Sequence, residues 1–269
     1  MSGALIIGCG GTGRDIIGNL AAEGRDCLYI NWEDADINLP SSVTVPDVSD
    51  YDKALSAFAE IREDVLRRME GFSDIVLIAS PGGAVGRASV RCISQWARGN
   101  GSRFVIIATV PFAFEDRREN AIAALPETIG SADRVFIADL QYSGLIRMNI
   151  GDVVDAVDMM VSVVARNVAD MLGSIPFFST FVSKVYSFSR GYSDHILDSF
   201  DEAASNPMFS LDMVGNRAVI CTDGPMDDEV ADALVSYVTN VKGSMPDIVR
   251  GKGEGEGLTV FVPISLRSE

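Results

Sequence analysis

The sequence predicts an α/β protein in which a Rossmann-type parallel sheet domain is joined by a long central helix to a smaller α/β domain. Three observations predict it: short apolar runs recur between helical stretches, glycine-rich turns follow two of those runs, and residues 151–172 carry an unusually wide apolar stripe. The runs ALIIG (4–8), CLYIN (27–31), IVLIAS (75–80), FVIIATV (104–110) and RVFIA (134–138) are almost continuously apolar. Strands covered by helices on both faces need that pattern, whereas one-sided strands alternate.

In chain order, ALIIG enters a glycine turn and a helix running to about Glu23. CLYIN is the second strand and SVTVP (42–46) an edge strand. Residues 51–70 read as helical, with Leu55, Ile61, Val65 and Met69 near one-turn spacings. IVLIAS leads into a second glycine turn and a helix to about Trp96. Within 151–172, Val153, Val157, Met160, Val164, Val168 and Met171 form a stripe widened by Val154, Val161 and Leu172. So wide a stripe predicts burial between two units, with Asp155, Asp158, Ser162 and Arg166 left as a narrow polar edge. A boundary near Gly173 then gives a nucleotide-binding-type domain over 1–150, a central helix over 151–172 and a smaller domain over 173–269. In the last, FFSTFVSKVYSFSR (177–190), DHILDSFDEAASN (194–206) and DDEVADALVSYVT (227–239) are expected as helices, RAVICT (217–222) and LTVFVPI (258–264) as strands. GKGEGEG (251–257) alternates glycine with charge, which predicts a mobile hairpin or loop that cannot pack.

Composition excludes several function classes. Across 269 residues, Lys+Arg 22 against Asp+Glu 38 gives a net charge of -16, a surface that repels nucleic-acid backbones and disfavours anionic lipid. The single histidine, His195, rules out a multi-histidine metal site or a histidine relay, and DHILD puts it at a helix start or on the surface. Cys9, Cys27, Cys92 and Cys221 form no C-x-x-C pair and read as buried thiols rather than metal ligands. There is no basic segment leading into a cleavable apolar stretch and no membrane-length apolar window, so direct membrane insertion is not expected and the cytoplasm is the default compartment.

The chemistry concentrates in the two turns. In G-C-G-G-T-G, Gly8, Gly10, Gly11 and Gly13 lie between a first strand and a first helix, where glycine lets a phosphate approach backbone N–H groups. The same run satisfies G-x-G-x-x-G, and Glu33 follows Gly13 at the spacing of a ribose-binding acid, so a nicotinamide or flavin reading stays open here. The second turn, S-P-G-G-A-V-G, supplies Gly82, Gly83 and Gly86. Two such turns at adjacent strand ends imply one crevice holding a phosphate chain. Neither contains G-K-[ST], so this is not a P-loop, and with Glu33, Asp34 and Asp36 nearby a polyphosphate needs backbone donors, Mg²⁺ or both.

Taken with PFAFEDRRENA (111–121), these turns resemble the FtsZ/tubulin family, whose prokaryotic members carry G-x-G-G-x-G, then G-G-G-T-G-T-G, then P-F-x-F-E-G-x-R-R. Pro111, Phe112, Phe114, Glu115, Arg117 and Arg118 match the last motif. VDMMVSVVARNVADML resembles the family's central helix. In DEAASNPMFSLDMVGNRAVICTDGP, Glu202, Ala203, Pro207, Gly215 and Gly224 keep step with a later family segment, and LTVFVPI resembles its V-T-V-x-A-T-G strand. The resemblance covers nearly the whole chain in order. It implies a cytoskeletal, division-related or membrane-remodelling protein that associates with itself or with an FtsZ-like partner and binds GTP or GDP, with Mg²⁺ as a possible companion. The implied nucleotide residues are Gly8, Gly10, Gly11, Gly13, Asp15, Gly82, Gly83, Gly86, Glu115, Asp139 and Asp158.

The departures from the family pattern bear on activity. SPGGAVG lacks both threonines of the second signature and places Arg87 beside it; Asp15 and Asp139 stand where relatives have asparagine, and Glu119 where they have arginine. Each acid adds repulsion toward phosphate. Asp158 matches the family aspartate that accepts from guanine N1–H and N2–H₂, a role its carboxylate can fill. The family's N-x-D-x-x-D loop, which orients the attacking water in a neighbour's pocket, corresponds to Pro176, Phe178 and Phe181. A phenyl ring cannot polarise water, so the resemblance implies a weak GTPase at most, with no catalytic residue and no metal-ligand set of its own. Phe177, Phe178 and Phe181 either form an apolar contact surface or pack inside. Two other readings remain at this point: a Rossmann-type NAD(P)- or FAD-dependent oxidoreductase, and a non-catalytic interaction module that keeps the scaffold without nucleotide.

Overall fold

A computed structural model describes residues 3–40, 50–142, 150–208, 217–253, 255 and 257–265. The expected edge strand SVTVP and Gly215 lie outside them. Five apolar runs form parallel strands: β1 (Leu5–Cys9), β2 (Cys27–Asn31), β4 (Asp74–Ala79), β5 (Arg103–Val110) and β6 (Arg134–Asp139). A two-residue strand, β3 (Ile37–Asn38), pairs with β2 and was too short to see in the sequence. The sheet continues through β7 (Val185–Gly191), β10 (Leu258–Pro263), β8 (Val219–Thr222) and β9 (Asp247–Val249). The order is β3-β2-β1-β4-β5-β6-β7-β10-β8-β9, with only β10 running antiparallel to its neighbours.

Both faces are covered. Leu5, Ile7 and Cys9 point into one core with α2 (Tyr51–Glu60), α3 (Arg62–Met69), α4 (Ala84–Gly99) and α5 (Arg118–Ser131). Ile6 points the other way, toward α1 (Gly13–Ala22) and α6 (Ile150–Ser174). This two-sided burial explains why β1 is apolar at every position. α8 (Ile196–Ser205) and α9 (Asp228–Lys242) cover a third cluster around Phe200, Leu234 and Val260. Asp50 caps α2 by accepting from the backbone N–H of Asp52 and Lys53, and Gly243 ends α9 in the left-handed conformation at φ 72°.

The expected stripe on α6 buries Val153, Val157, Met160, Val161, Val164, Val168, Met171 and Leu172, but Val154 is exposed. Pro176 follows shortly after the helix, as a residue that cannot continue it. The expected helix over 177–190 is not formed. A single turn, α7 (Phe177–Thr180), is followed by strand β7, whose seven residues are all buried. Serine between aromatics imitated an amphipathic helix. In the fold those serines are interior: Ser187 Oγ donates to the carbonyls of Ile137 (2.7 Å) and Met208 (2.9 Å).

The GKGEGEG segment also departs from expectation, because its described glycines pack. An added Cβ at Gly251 would lie 2.1 Å from the Thr222 carbonyl oxygen, and one at Gly257 2.8 Å from both Arg190 Nη2 and Asp223 Oδ2. Glycine is what lets this backbone close over Asp223. That carboxylate is the centre of a buried polar knot: Arg190 grips it with both terminal nitrogens, and Asn167 Nδ2 on α6 donates to it at 3.2 Å. Arg190 is 1% exposed in its side chain and also donates to Thr259 Oγ1 at 2.6 Å.

Candidate functional site

At the carboxyl ends of the strands the two glycine turns adjoin. Gly10 has φ +75°, a conformation that glycine alone adopts readily, and a Cβ there would sit 3.7 Å from Val85 Cβ of the second turn's helix. Gly8 and Gly13 are needed for close packing: a Cβ at Gly8 would lie 2.4 Å from Ile17 Cγ1, and one at Gly13 2.8 Å from the carbonyl carbon of Gly8. Gly82 and Gly86 do the same for the second turn, where a Cβ would meet the Arg117 carbonyl at 2.4 Å and the Ser80 carbonyl at 2.0 Å. Gly11 and Gly83 have nothing within 4 Å of the corresponding position. The seven glycines thus divide into Gly10, held by its positive φ, four that allow close packing, and two that face open space.

Neither helix start is capped by a side chain: Thr12 before α1 and Gly83 before α4 make no capping hydrogen bond. At α1 the Gly13 and Arg14 N–H groups donate to the Gly10 (3.0 Å) and Gly11 (3.4 Å) carbonyls; the remaining first-turn N–H groups and the positive ends of the two dipoles, side by side, face the same crevice. These features suit a phosphate chain, whose oxygens would take those donors.

Side-chain charges around the crevice are mostly spoken for or negative. Arg87 is turned onto Glu127 at 3.2 Å and over the Tyr51 ring at 4.6 Å. Arg118 forms a two-pronged pair with Asp139, at 2.6 and 2.9 Å, in which both side chains are largely buried. Asp139 therefore adds no free negative charge, which corrects the expectation that it repels phosphate. Glu115 is occupied locally, accepting from the Phe112 N–H (3.1 Å) and from Arg117 Nη2 (3.0 Å), so it shapes its turn. Glu119 is exposed in the first turn of α5. Glu33 is exposed beyond β2.

Asp158 is half-buried on α6, and burial, followed by the charges of Asp15 and Asp155, pushes its carboxyl up to about 6. That coupling brings Asp15 of α1 and Asp158 of α6 into one electrostatic neighbourhood. Helix α1 is tied to α6 there by Asn19 Nδ2 donating to Ser162 Oγ at 3.4 Å, while Ser162 Oγ donates to the Asp158 carbonyl at 2.7 Å. The structure thus brings together the turns, Asp15 and Asp158, and diverts Glu115 and Asp139 to neighbouring arginines. His195 is exposed at the N-cap of α8. Cys9 and Cys221 are buried, Cys27 and Cys92 half-buried, and all four are free thiols.

At the opposite end, the loop after α6 is filled with rings. Phe177 and Phe181 are buried with centroids 4.7 Å apart, and Phe181 packs edge-on against Phe136 (5.3 Å), Tyr186 (5.1 Å) and Phe261 (5.3 Å). Phe178 lies under the Arg134 guanidinium, 5.0 Å away. Packing, not a free contact surface, accounts for Phe177 and Phe181. No described group of three or more His, Cys, Asp or Glu side chains forms a metal cluster, and no helix among the described residues is long and apolar enough to cross a membrane.

No protein-family model matches the chain. It is 23% identical over 263 residues to the cell division protein FtsZ of Methanothermobacter thermautotrophicus, a match covering 85% of this chain and 68% of that protein. The fold superposes on an empty FtsZ dimer from M. jannaschii with a TM-score of 0.81 at 17% identity, covering 99% of this chain and 89% of that one. It superposes on CetZ2 from Haloferax volcanii, a GTPγS-bound protofilament, with a TM-score of 0.72 at 14% identity and coverage of 99% and 94%. The oxidoreductase reading drew its support from the first turn and Glu33, and these comparisons do not favour it. Along nearly its full length the chain has the FtsZ/tubulin fold, and in sequence it is similar to FtsZ at low identity.

Proposed function

We propose that this chain is an FtsZ-like cytoskeletal or division protein that binds guanine nucleotide, associates with its own kind, and hydrolyses the nucleotide poorly or not at all. The observation that carries the binding is the meeting of two glycine turns at uncapped helix starts beside Asp158. The turns receive the phosphates through backbone N–H groups, Gly11 and Gly83 leave room for close approach, and ionised Asp158 accepts from guanine N1–H and N2–H₂. With Asp15 and Asp155 close to Asp158, and Arg87 and Arg118 turned onto Glu127 and Asp139, Mg²⁺ would offset phosphate charge. The named likenesses support the same reading: one is a GTPγS-bound protofilament and another a dimer.

Hydrolysis is argued against by side-chain chemistry. Pro176, Phe178 and Phe181 stand where relatives place their water-orienting loop, and the rings of Phe177 and Phe181 are committed to the core. The side chains of Pro176, Phe178 and Phe181 can neither take a proton nor hold a water in line. Calorimetric titration with GTP, GDP, ATP and NAD tests the binding: heat is expected with the guanine nucleotides alone. Absence of heat with GTP and GDP, or a preference for NAD, overturns it. Phosphate release from GTP is expected to stay near buffer level at protein concentrations where association is seen by sedimentation.

A further inference from the structure

Helix α9 carries two apolar rows, and the core uses only one of them. Ala231, Leu234 and Val238 are buried, the last two in the cluster around Phe200. The second row, Val230, Ala233, Tyr237 and Val241, recurs at three- and four-residue steps and so lies along one side of the helix. Val230 is 39% exposed, Val241 52%, and Ala233 is exposed between them. Tyr237 is set in place, its ring edge-on to Phe200 at 6.2 Å and its hydroxyl donating to Asp201 Oδ2 at 2.7 Å. A methionine prolongs the row at each end: Met226, half-buried before the N-cap, and Met245, 67% exposed after the left-handed Gly243.

That row is its own complement. About a midpoint between Val235 and Ser236, Met226 mirrors Met245, Val230 mirrors Val241, and Ala233 mirrors Tyr237 to within one residue. Two such helices laid antiparallel set valine on valine toward both ends and the small Ala233 of each copy against the Tyr237 ring of the other, the large-on-small fit that close packing needs. Charge agrees with this. Asp227, Glu229 and Asp232 are exposed at the start of α9, and neither they nor Lys242 at its other end form an ion pair among the described residues, whereas Asp228 holds Arg250. Antiparallel seating brings each acidic start to the Lys242 end of the other copy and opposes the two helix dipoles. We propose that this side of α9 receives α9 of a second copy in a two-fold, antiparallel contact. It goes beyond the self-association reading above, because one patch serves both copies: the contact closes at two and needs no nucleotide. A helix of 15 residues is about 22 Å long. The contact therefore falls in the small class of interfaces, with a dissociation constant on the order of 10 µM.

Sedimentation velocity of the full chain without nucleotide tests this, over about 1–100 µM and in about 300 mM salt, which screens the repulsion between two copies of net charge -16. Wild type is expected to pass from monomer to dimer and stop there. Val230→Asp and Val241→Lys should each weaken the dimer by about tenfold or more. The double variant Val230→Asp/Val241→Lys should recover most of the loss, because residue 230 of each copy faces residue 241 of the other. Within one chain the two positions stand about 16 Å apart along the helix and cannot compensate one another. Met245→Glu, beyond the helix end, carries the test if circular dichroism shows a valine variant unfolded. Association that the single variants leave unchanged, or no recovery in the double variant, overturns the proposal. Wild type that stays monomeric throughout the series overturns it too, and association that then appears only with GTP leaves the earlier reading standing.

Discussion

Two segments of this chain are rich in glycine, and they use it in opposite ways. Between residues 8 and 13, glycine brings helix α1 against strand β1 but leaves Gly11 facing open space. Between 251 and 257, the described glycines face inward: Cβ atoms at Gly251, Gly253, Gly255 and Gly257 would each come within 3 Å of Asp223 or of its neighbours in the knot. The first segment makes room for a visitor; the second closes over a resident carboxylate. Glycine content alone therefore does not mark a binding turn. What marks it is which glycines remain without a neighbour once the fold has formed.

The contrast can be broken at its strongest point by Asp223→Ala, which leaves the buried Arg190 guanidinium without its carboxylate. The expected loss is about 3–5 kcal/mol in urea unfolding; a loss near zero would mean that the closed segment encloses nothing of consequence. Gly257→Ala should cost less, about 1–3 kcal/mol, because its Cβ must displace Arg190 and Asp223. Gly11→Ala sharpens the comparison from the other side. Its stability should stay within about 0.5 kcal/mol of wild type, while guanine nucleotide affinity in calorimetry falls by about tenfold. Equal destabilisation by the two alanines would erase the distinction.

A pH-dependent effect belongs to Asp158. Its carboxyl is raised from 3.8 to about 6 in the folded state, so the ionised form is disfavoured there. The cost to stability is absent below the unfolded value, grows between 3.8 and about 6, and is complete above. Asp158→Asn should therefore melt higher than wild type at pH 7.5, with the gain shrinking as pH falls through 6 toward 4. In wild type, guanine affinity should rise with pH through about 6 as the carboxylate forms. A melting difference independent of pH would assign the effect to packing instead.

The doubly buried strands β1, β2, β4, β5 and β6 were legible because their central positions are continuously apolar, and the turns were legible because they sit between such a strand and a helix. β7 was not. Its Ser187 and Ser189 are buried, and Ser187 is hydrogen-bonded there, so burial and polarity stopped tracking one another, and the nearby phenylalanines supplied a false helical spacing. β3 and β9 are too short to carry a period. At the site, the sequence could place Asp15 and Asp158 near the crevice, but it could not show that Arg118 neutralises Asp139 across 21 residues of chain. The Arg190–Asp223 pair hides in the same way, its partners separated by 33 residues and joined only when β7, β8 and β10 assemble.

The pairing of β6 with β7 has a mechanical consequence. Val135, Phe136 and Ile137 are in register with Val185, Tyr186 and Ser187, so the strands that precede and follow α6 are joined by backbone hydrogen bonds as well as by the helix. A hinge between the halves would have to shear that ladder and pull Phe181 from its ring cluster in the same movement. In a row of such molecules, bending would concentrate at the joints between copies, and each copy would behave as a stiff link.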